Sequence, residues 1–273
     1  MTYAEITVAA RRVLLDALEA LSESRAALVL AGAQAVYLYT GDADVAIATT
    51  TKDSDLVVVP ARLPSAPKLE AALTSAGFTH DSAVQQPGEW TARDPLAPPI
   101  ELLVPASLSG PGGRRGARIP PHSKYAARTV PGLEAAAVSY LPTTIESLDP
   151  EVDSRRTEMN VASPAALMIA KSFKLGERAR DTPGRLLPKD AHDVYRLLRA
   201  VPAASVAEEL RRLRASPVAG DVTAQSLTWL ADLSADSASL IPELAGRAEA
   251  LAGDPVEVAQ STWALIHDVL DRI

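Results

Sequence analysis

Two carboxylates and a turn of small residues are the features of this chain best suited to do chemistry. Asp53 and Asp55 stand directly before an apolar run at residues 56–59 that is typical of a strand. Because successive strand side chains point to opposite faces, we expect both carboxylates to point the same way and to share a divalent cation. Upstream, Gly32 and Ala33 let the backbone approach a ligand closely. The arrangement predicts Mg²⁺-dependent phosphoryl transfer, whereas acids that only accept backbone hydrogen bonds would be structural.

Glu101 is a candidate third acid. It lies inside an apolar run at residues 100–104 that is flanked by prolines and predicts a strand. A carboxylate in such a run is costly to bury unless it is paired or bound to a metal. We therefore expect a neighbouring strand to bring Glu101 beside Asp53 and Asp55 as a metal ligand; the alternative is an edge-strand glutamate that faces water.

A second group of charges lies in the C-terminal half. Lys171 ends an apolar helical run, and Arg178 follows two turns later on the same face. Such cations suit a triphosphate, although a lysine that snorkels from the edge of the core has the same pattern. Asp190 and Asp193 share one face of the next helix, where an acid can also complement the helix dipole. The four histidines show no metal-ligand spacing.

A basic segment separates these two groups. Between residues 102 and 133 the chain has no acidic residue, and the basic ones are Arg114, Arg115, Arg118, Lys124 and Arg128. Prolines and glycines punctuate the segment, which predicts an extended loop with at most a short strand. In a chain of net charge −7 this asymmetry indicates either a solvated loop or a flap that contacts the phosphates of a nucleotide or RNA.

The elements that must position these residues fall into two regions. Alternating helix and strand signals over residues 1–105, beginning with a helix at 3–22, predict an α/β layer. From residue 163 onward, helical periodicity broken by prolines and glycines predicts a helical bundle. The fold class is therefore α/β (α+β), a mixed sheet with flanking helices followed by a C-terminal bundle.

The composition bears on the number of domains, on cysteine chemistry and on the compartment of the protein. With 273 residues, 47% of them hydrophobic, it can form one large or two small domains. It has no cysteine, which excludes disulfides and thiolate metal sites. Without an apolar stretch of transmembrane length or the layout of a signal peptide, we expect a cytoplasmic protein with no membrane partner.

Together these residues resemble the AbiEii/MenT group of nucleotidyltransferase-like toxins. The Gly-Gly or Gly-Ser turn of the superfamily corresponds to Gly32 and Ala33, and its Asp-x-Asp corresponds to Asp53, Ser54 and Asp55. The chain departs from the family pattern at the second turn residue, at Thr49, where arginine is frequent, and at Ser54, where the family usually has an apolar residue.

The C-terminal half is closer to the family. Lys171 and Arg178 match the ends of a Lys-Leu-x-Ala-Leu-x-x-Arg element. The element that follows it, Arg/Lys-Asp-x-x-Asp-Leu-x-x-Leu, is matched by Lys189, Asp190 and Asp193. The resemblance covers residues 28–200.

The resemblance implies a nucleotidyltransferase-like α/β domain at residues 1–160 and a helical domain at 161–273. Members use Mg²⁺ and a nucleoside triphosphate; some modify tRNA acceptor ends, and a cognate antitoxin protein opposes them. By position, Asp53 and Asp55 would bind metal and Lys171 would contact the triphosphate. The same resemblance implies the other roles: Asp193 would orient the lysine or act in the catalytic network, and Gly32, Ala33 and Arg178 would complete the nucleotide site.

Two other functions remain open from the sequence. The acceptor can be a small molecule or a protein side chain instead of RNA. Alternatively, the chain can be a non-catalytic binding protein that keeps the fold, a reading favoured by the departures at Ala33 and Thr49.

Overall fold

The computed structural model describes residues 5–41, 54–94, 97–110, 115–250 and 253–273. Within these ranges the chain forms ten α-helices, four short 3₁₀ helices and one mixed seven-stranded sheet, which confirms a mixed α/β protein. The described residues cluster into two compact units. The first contains those within Met1–Gln34, Thr50–Leu133 and Tyr140–Ala162, and the second contains those within Ala35–Thr49, Glu134–Ser139 and Ser163–Ile273.

The first unit contains the sheet. Its strands are β1 Leu28–Ala31, β2 Ser54–Val58, β3 Glu89–Trp90, β4 Ile100–Pro105, β5 Arg128–Val130, β6 Tyr140–Glu146 and β7 Arg156–Ala162. Their order is β3-β4-β2-β1-β7-β6, and β5 also pairs with β4. The pairs β2–β4, β4–β5 and β1–β7 are parallel, whereas β1–β2, β3–β4 and β6–β7 are antiparallel.

The centre of the sheet is made of the apolar runs that the sequence displays. All residues of β1, and every residue of β4 except Glu101, are buried, so that these strands have no solvent-facing side. The short strand within the basic segment is β5, which adds to β4 by pairing Leu103 with Arg128. The predicted strands at 55–59 and 100–104 each agree with the structure to within one residue.

The helices are α1 Glu5–Ala20, α2 Gly32–Thr40, α3 Leu69–Ser75, α4 Glu134–Val138, α5 Pro164–Asp181, α6 Pro188–Ala200, α7 Ala203–Arg214, α8 Gly220–Asp232, α9 Leu240–Glu249 and α10 Pro255–Leu270. Helix α1 packs on β2, β4, β7 and α3, and so covers one face of the sheet. Its apolar stripe includes Leu14 and Leu18, both fully buried. Each such leucine contributes about 1.5–3 kcal/mol of transfer free energy.

The second unit is helical. Its helix α5 begins at the predicted position, because Ser163 Oγ accepts a hydrogen bond from the Ala166 N–H at 3.2 Å and Pro164 occupies the first turn. Helix α5 packs against α6 and α8, and α9 packs against α6 and α10. The unit also includes α4, which packs on α5. The division expected at residue 160 lies near the change of unit at Ala162, but residues 134–139 and 35–49 precede that point and cluster with the helices.

Candidate functional site

Asp55 and Glu101 stand side by side on adjacent parallel strands. The register of β2 and β4 pairs the two residues directly. Ser54, the preceding residue, donates from its Oγ to the Ala10 carbonyl of α1 at 3.4 Å, so it faces that helix. Because side chains alternate along a strand, Asp55 and Glu101 lie on the opposite face of the sheet.

The spacing of these two acids suits a shared cation. Adjacent strands lie about 4.8 Å apart, and two oxygen ligands on opposite sides of a Mg²⁺ ion are about 4.2 Å apart. Asp55 and Glu101 are both partly buried, and like charges directly opposite each other on neighbouring strands repel. The sequence analysis expected a neighbouring strand to bring Glu101 to this position, and β4 is that strand.

Gly32 allows the Asp55 side chain to occupy its place. The register of β1 and β2 pairs Ala31 with Asp55, and Gly32 follows at the start of α2 with φ of +67°. A Cβ atom added to Gly32 would lie 2.0 Å from Asp55 Oδ2, which is well inside contact distance. Glycine is therefore required here both for its positive φ and for its missing side chain. Ala33, the next residue, is partly exposed in the first turn of α2.

A buried polar chain holds the beginning of β2 to the turn. Gln34 Oε1 accepts a hydrogen bond from Arg11 Nε at 2.9 Å, and Gln34 Nε2 donates to Ser54 Oγ. The Arg11 Nη1 group also donates to the Glu146 carbonyl at 2.8 Å. The Ser54 hydroxyl therefore satisfies the buried Gln34 amide, which an apolar side chain at this position could not do.

Glu101 also forms an ion pair. Arg128 Nη2 on β5 binds Glu101 Oε2, and Arg128 Nη1 donates to Gln86 Oε1 at 3.3 Å. On the other side of Glu101, β3 places Glu89 directly opposite. The sequence analysis considered Arg128 as a phosphate-binding loop residue and did not foresee either neighbour, because β3 and β5 are too short to show a strand pattern.

The carboxylates available to a metal are few in the described structure. Asp53, the first acid of the predicted pair, lies outside the described residues, as does Thr49. Among residues the structure describes, no group of three His, Cys, Asp or Glu side chains is close enough to hold a metal ion. Asp55 and Glu101 are therefore the described acids that match the predicted metal site.

The second unit brings the other predicted residues together. Lys171 Nζ on α5 lies 2.6 Å from Asp193 Oδ2 and 3.2 Å from Asp190 Oδ1, both on α6. The Lys171 side chain is only 9% exposed, and Asp190 is fully buried. Burial alone would lower the pKa of Lys171, but Asp193 and Asp190 outweigh it and hold that pKa above its usual value. The lysine is thus permanently charged and fixed in place.

Arg178 and Lys174 complete this cluster around Asp190. Arg178 Nη1 lies 3.1 Å from Asp190 Oδ2, and Lys174 Nζ lies 2.9 Å from Asp190 Oδ1. Burial would raise the pKa of Asp190, yet Lys171 and Lys174 hold it below its usual value. Lys174 was missed in the sequence, although its spacing of three residues from Lys171 puts both on one helix face.

The charges of this cluster do not balance. Three cations, Lys171, Lys174 and Arg178, surround two carboxylates, which leaves one positive charge in excess. Burial and the neighbouring Lys171 lower the pKa of Lys174. Its side chain is 38% exposed, the largest exposure of the three, so it is the cation that an incoming anion would meet first.

Helix α6 carries two further buried polar residues. His192 Nε2 lies 2.5 Å from Glu249 Oε2, and burial lowers the pKa of the histidine. Arg196 is fully buried; its Cζ lies 4.6 Å from the centre of the Tyr37 ring. Its three guanidinium nitrogens have no hydrogen-bond partner within the described part of the chain. No local pattern of the sequence predicts that this arginine is interior.

Comparison with protein-family models, with curated proteins and with solved structures finds no match to the chain. The family resemblance therefore rests on the motif residues alone. Among the helices of the described ranges, none is long and apolar enough to cross a lipid bilayer.

Proposed function

We propose that the protein is a Mg²⁺-dependent nucleotidyltransferase with a nucleotidyltransferase-type sheet, and that it moves a nucleotide from a nucleoside triphosphate to tRNA or another RNA. The observation that carries the proposal is the pairing of Asp55 with Glu101 on adjacent parallel strands, with Gly32 against the Asp55 carboxylate. Like charges at such positions repel, and Arg128 offsets the charge of Glu101, so a cation shared by the two acids would stabilise the pair further.

The donor set fits Mg²⁺. Magnesium in nucleotide enzymes is held by one or two carboxylates together with substrate phosphates, and Asp55 and Glu101 supply two. Asp53 is the third proposed ligand, and its assignment rests on the sequence motif alone. When bound, the ion neutralises charge that develops on the transferred phosphate and lowers the pKa of the attacking hydroxyl.

The chain's own residues have separable roles in this proposal. Gly32 leaves room for the Asp55 carboxylate and, with Ala33, exposes backbone N–H groups at a helix N-terminus, where phosphates are favoured. In the second unit, Lys171 and Arg178 are the residues that the resemblance assigns to the triphosphate. Asp193 fixes the ammonium group of the lysine, and the excess positive charge of the cluster suits an anion.

The biological role that accompanies this chemistry is that of a toxin in a toxin–antitoxin pair, acting in the cytoplasm. A cognate antitoxin protein would block the transfer. The proposal predicts that expression of the native chain arrests cell growth and that the Asp55→Asn variant does not.

The direct test is transfer of a label. The purified protein is incubated with total tRNA, Mg²⁺ and each of the four nucleoside triphosphates labelled at the α-phosphate. We expect one nucleotide to label tRNA, and we expect Asp55→Asn and Glu101→Gln to reduce the rate by at least about 100-fold, since each removes a charge that stabilises the transition state. Glu23→Gln, an exposed carboxylate of the same unit, is the matched control.

The outcomes separate the alternatives. Labelling of a small molecule or of a protein in place of tRNA would show a different class of acceptor and would still support the nucleotidyltransferase activity. Retained full activity in Asp55→Asn would refute the metal assignment.

A non-catalytic binding protein is the second candidate. The observation that favours it is the Arg128–Glu101 ion pair, which occupies one of the two acids. Nucleotide binding in calorimetry without transfer to any acceptor would support this reading.

A further inference from the structure

An aromatic cluster connects the interior of the first unit to its surface. Trp90 on β3 is buried, and its Nε1 donates to the Ala126 carbonyl at 3.1 Å. The ring of His80 lies 5.5 Å from that of Trp90 and 5.7 Å from that of Tyr125. Tyr125 is 38% exposed. Tyr125 thus packs on the half-buried His80 ring, which in turn packs on the buried Trp90, and a ring held in this way loses little entropy when a ligand stacks on it.

The segment that carries this exposed ring is basic, although the Glu70 carboxylate accepts a hydrogen bond from its Ser123 N–H at 3.0 Å. Lys124 Nζ lies 5.0 Å from the centre of the Tyr125 ring. Arg115 and Arg118 of the same segment are exposed, and no acidic residue occurs between residues 102 and 133 of a chain whose net charge is −7. Aromatic rings among cations are what proteins use to bind single-stranded nucleic acid, since bases stack on the rings and phosphates meet the charges.

The backbone joins this surface to the edge of the sheet. The Tyr125 carbonyl accepts a hydrogen bond from the Gly88 N–H at 2.9 Å. Gly88 precedes β3, in which Glu89 pairs with Glu101 and Trp90 pairs with Ile100. Since Ile100 pairs with Ser54, which faces α1, the Trp90 side chain lies on the face opposite the paired acids. Asp55 and Glu89 are two strand spacings apart, roughly 10 Å, so a nucleic-acid strand that reaches both the acids and Tyr125 would pass around the β3 edge of the sheet.

We infer that Tyr125 and Lys124 form the binding surface for a single-stranded RNA segment, with a base stacked on the tyrosine and a phosphate on the lysine. This inference rests on the proposed nucleotidyltransferase function, in which the surface would bind the acceptor RNA. A base on the exposed face of Tyr125 takes the place of the Lys124 ammonium group, which then contacts the phosphate.

The test measures RNA binding without catalysis. A short fluorescein-labelled single-stranded RNA is titrated with the full chain in the absence of Mg²⁺ and nucleotide, and its fluorescence anisotropy is recorded. Because a base stacked on an aromatic ring contributes binding free energy that alanine cannot supply, Tyr125→Ala is expected to weaken binding about 5- to 150-fold. Tyr125→Phe keeps the ring and is expected to bind like the native chain. Lys124→Gln is expected to reduce the salt slope by about 0.7.

Tyr140→Ala is the matched control, because Tyr140 lies in the same unit and also has a cation, Arg62, over its ring. Circular dichroism and thermal melting confirm that each variant is folded. The inference is overturned if the native chain does not bind the RNA, if Tyr125→Ala binds it with native affinity, or if polyglutamate competes as well as unlabelled RNA. A chain that binds RNA through Tyr125 but transfers no nucleotide would refute the proposed function and leave this inference standing. Nucleotide transfer at the native rate by Tyr125→Ala would support the proposed function and refute this inference.

Discussion

Asp55 on β2 and Glu101 on β4 are register partners across two parallel strands, and Arg128 binds the second of them. One cation of the chain therefore already offsets one of two neighbouring negative charges. A metal ion at the same place would compete with that guanidinium for Glu101.

Replacement of Arg128 should reveal this competition. In Arg128→Gln, the loss of a charge-assisted contact to Glu101 is expected to tighten Mg²⁺ binding about tenfold, as measured by calorimetry without nucleotide. Arg115→Gln, an exposed arginine of the same segment, is expected to bind Mg²⁺ with native affinity. Unchanged or weaker binding by Arg128→Gln would argue that Glu101 is not a metal ligand.

Gly32 should be intolerant of any side chain. In Gly32→Ala, the added Cβ meets the Asp55 carboxylate and the backbone keeps a positive φ, so we expect the free energy of unfolding to fall by about 1–3 kcal/mol and Mg²⁺ binding to weaken. Gly77→Ala is the matched control: it has φ of +91°, but only the movable guanidinium of Arg93 lies nearby. The control is expected to lose stability and to keep Mg²⁺ binding. A Gly32→Ala protein with native Mg²⁺ affinity would contradict the proposal that Gly32 leaves room for a metal-binding Asp55 carboxylate.

Asp190 should contribute far more stability than an exposed acid. Asp190→Asn leaves Lys171, Lys174 and Arg178 with a single carboxylate between them, and removal of one partner from a buried ion pair costs about 3–5 kcal/mol. Urea denaturation measures the difference. Asp181→Asn, which removes an exposed ion pair at the end of the same helix α5, is expected to leave the stability close to that of the native chain.

The contribution of Asp190 should also depend on pH. Its folded-state pKa lies below the usual value of about 3.9, so its stabilising effect is present above that pH and is lost as the pH falls through the lower, folded-state pKa. The difference in stability between the native chain and Asp190→Asn is therefore expected to shrink below about pH 4. A difference that stayed constant down to pH 2 would show that the carboxylate does not stabilise the cluster through its charge.

Arg196 should be replaceable with a gain in stability. Its guanidinium is buried without hydrogen-bond partners in the described ranges, and the Tyr37 ring offsets only about 2 kcal/mol of the desolvation. Arg196→Met is thus expected to raise the free energy of unfolding by about 1–3 kcal/mol. Arg199→Met, which removes a more exposed arginine over the Tyr195 ring, is the control, with an expected change within about 0.5 kcal/mol. A clear loss of stability in Arg196→Met would mean that the guanidinium has a counterion.

The sequence indicated the parts of the fold whose residues are buried on both sides. Strands β1, β2 and β4 are short apolar runs, and helices α5 and α6 have caps or prolines at their starts. The hairpin of β6 and β7 was not predicted. Its strands lie towards the edge of the sheet, β6 is largely exposed, and the apolar alternation of β7 is limited to Met159 and Val161.

The candidate site was also predictable only in part. The family resemblance, and not a local pattern, linked Asp193 to Lys171, and the structure places their charged groups 2.6 Å apart. Arg128 and Glu89 were not connected with Glu101, because their contacts depend on which strands are neighbours and in what register. That information is set by tertiary packing, which local patterns do not contain.

The parallel pairing of Val29 with Asn160 joins positions far apart along the chain. During synthesis at about 5–20 residues per second, β1 would emerge roughly 6–26 seconds before its partner β7. Throughout that interval one edge of an entirely apolar strand offers unpaired N–H and C=O groups, which is a template for pairing with another nascent chain. Recombinant yield would therefore depend on temperature and on chaperone supply more steeply than the stability of the finished protein suggests.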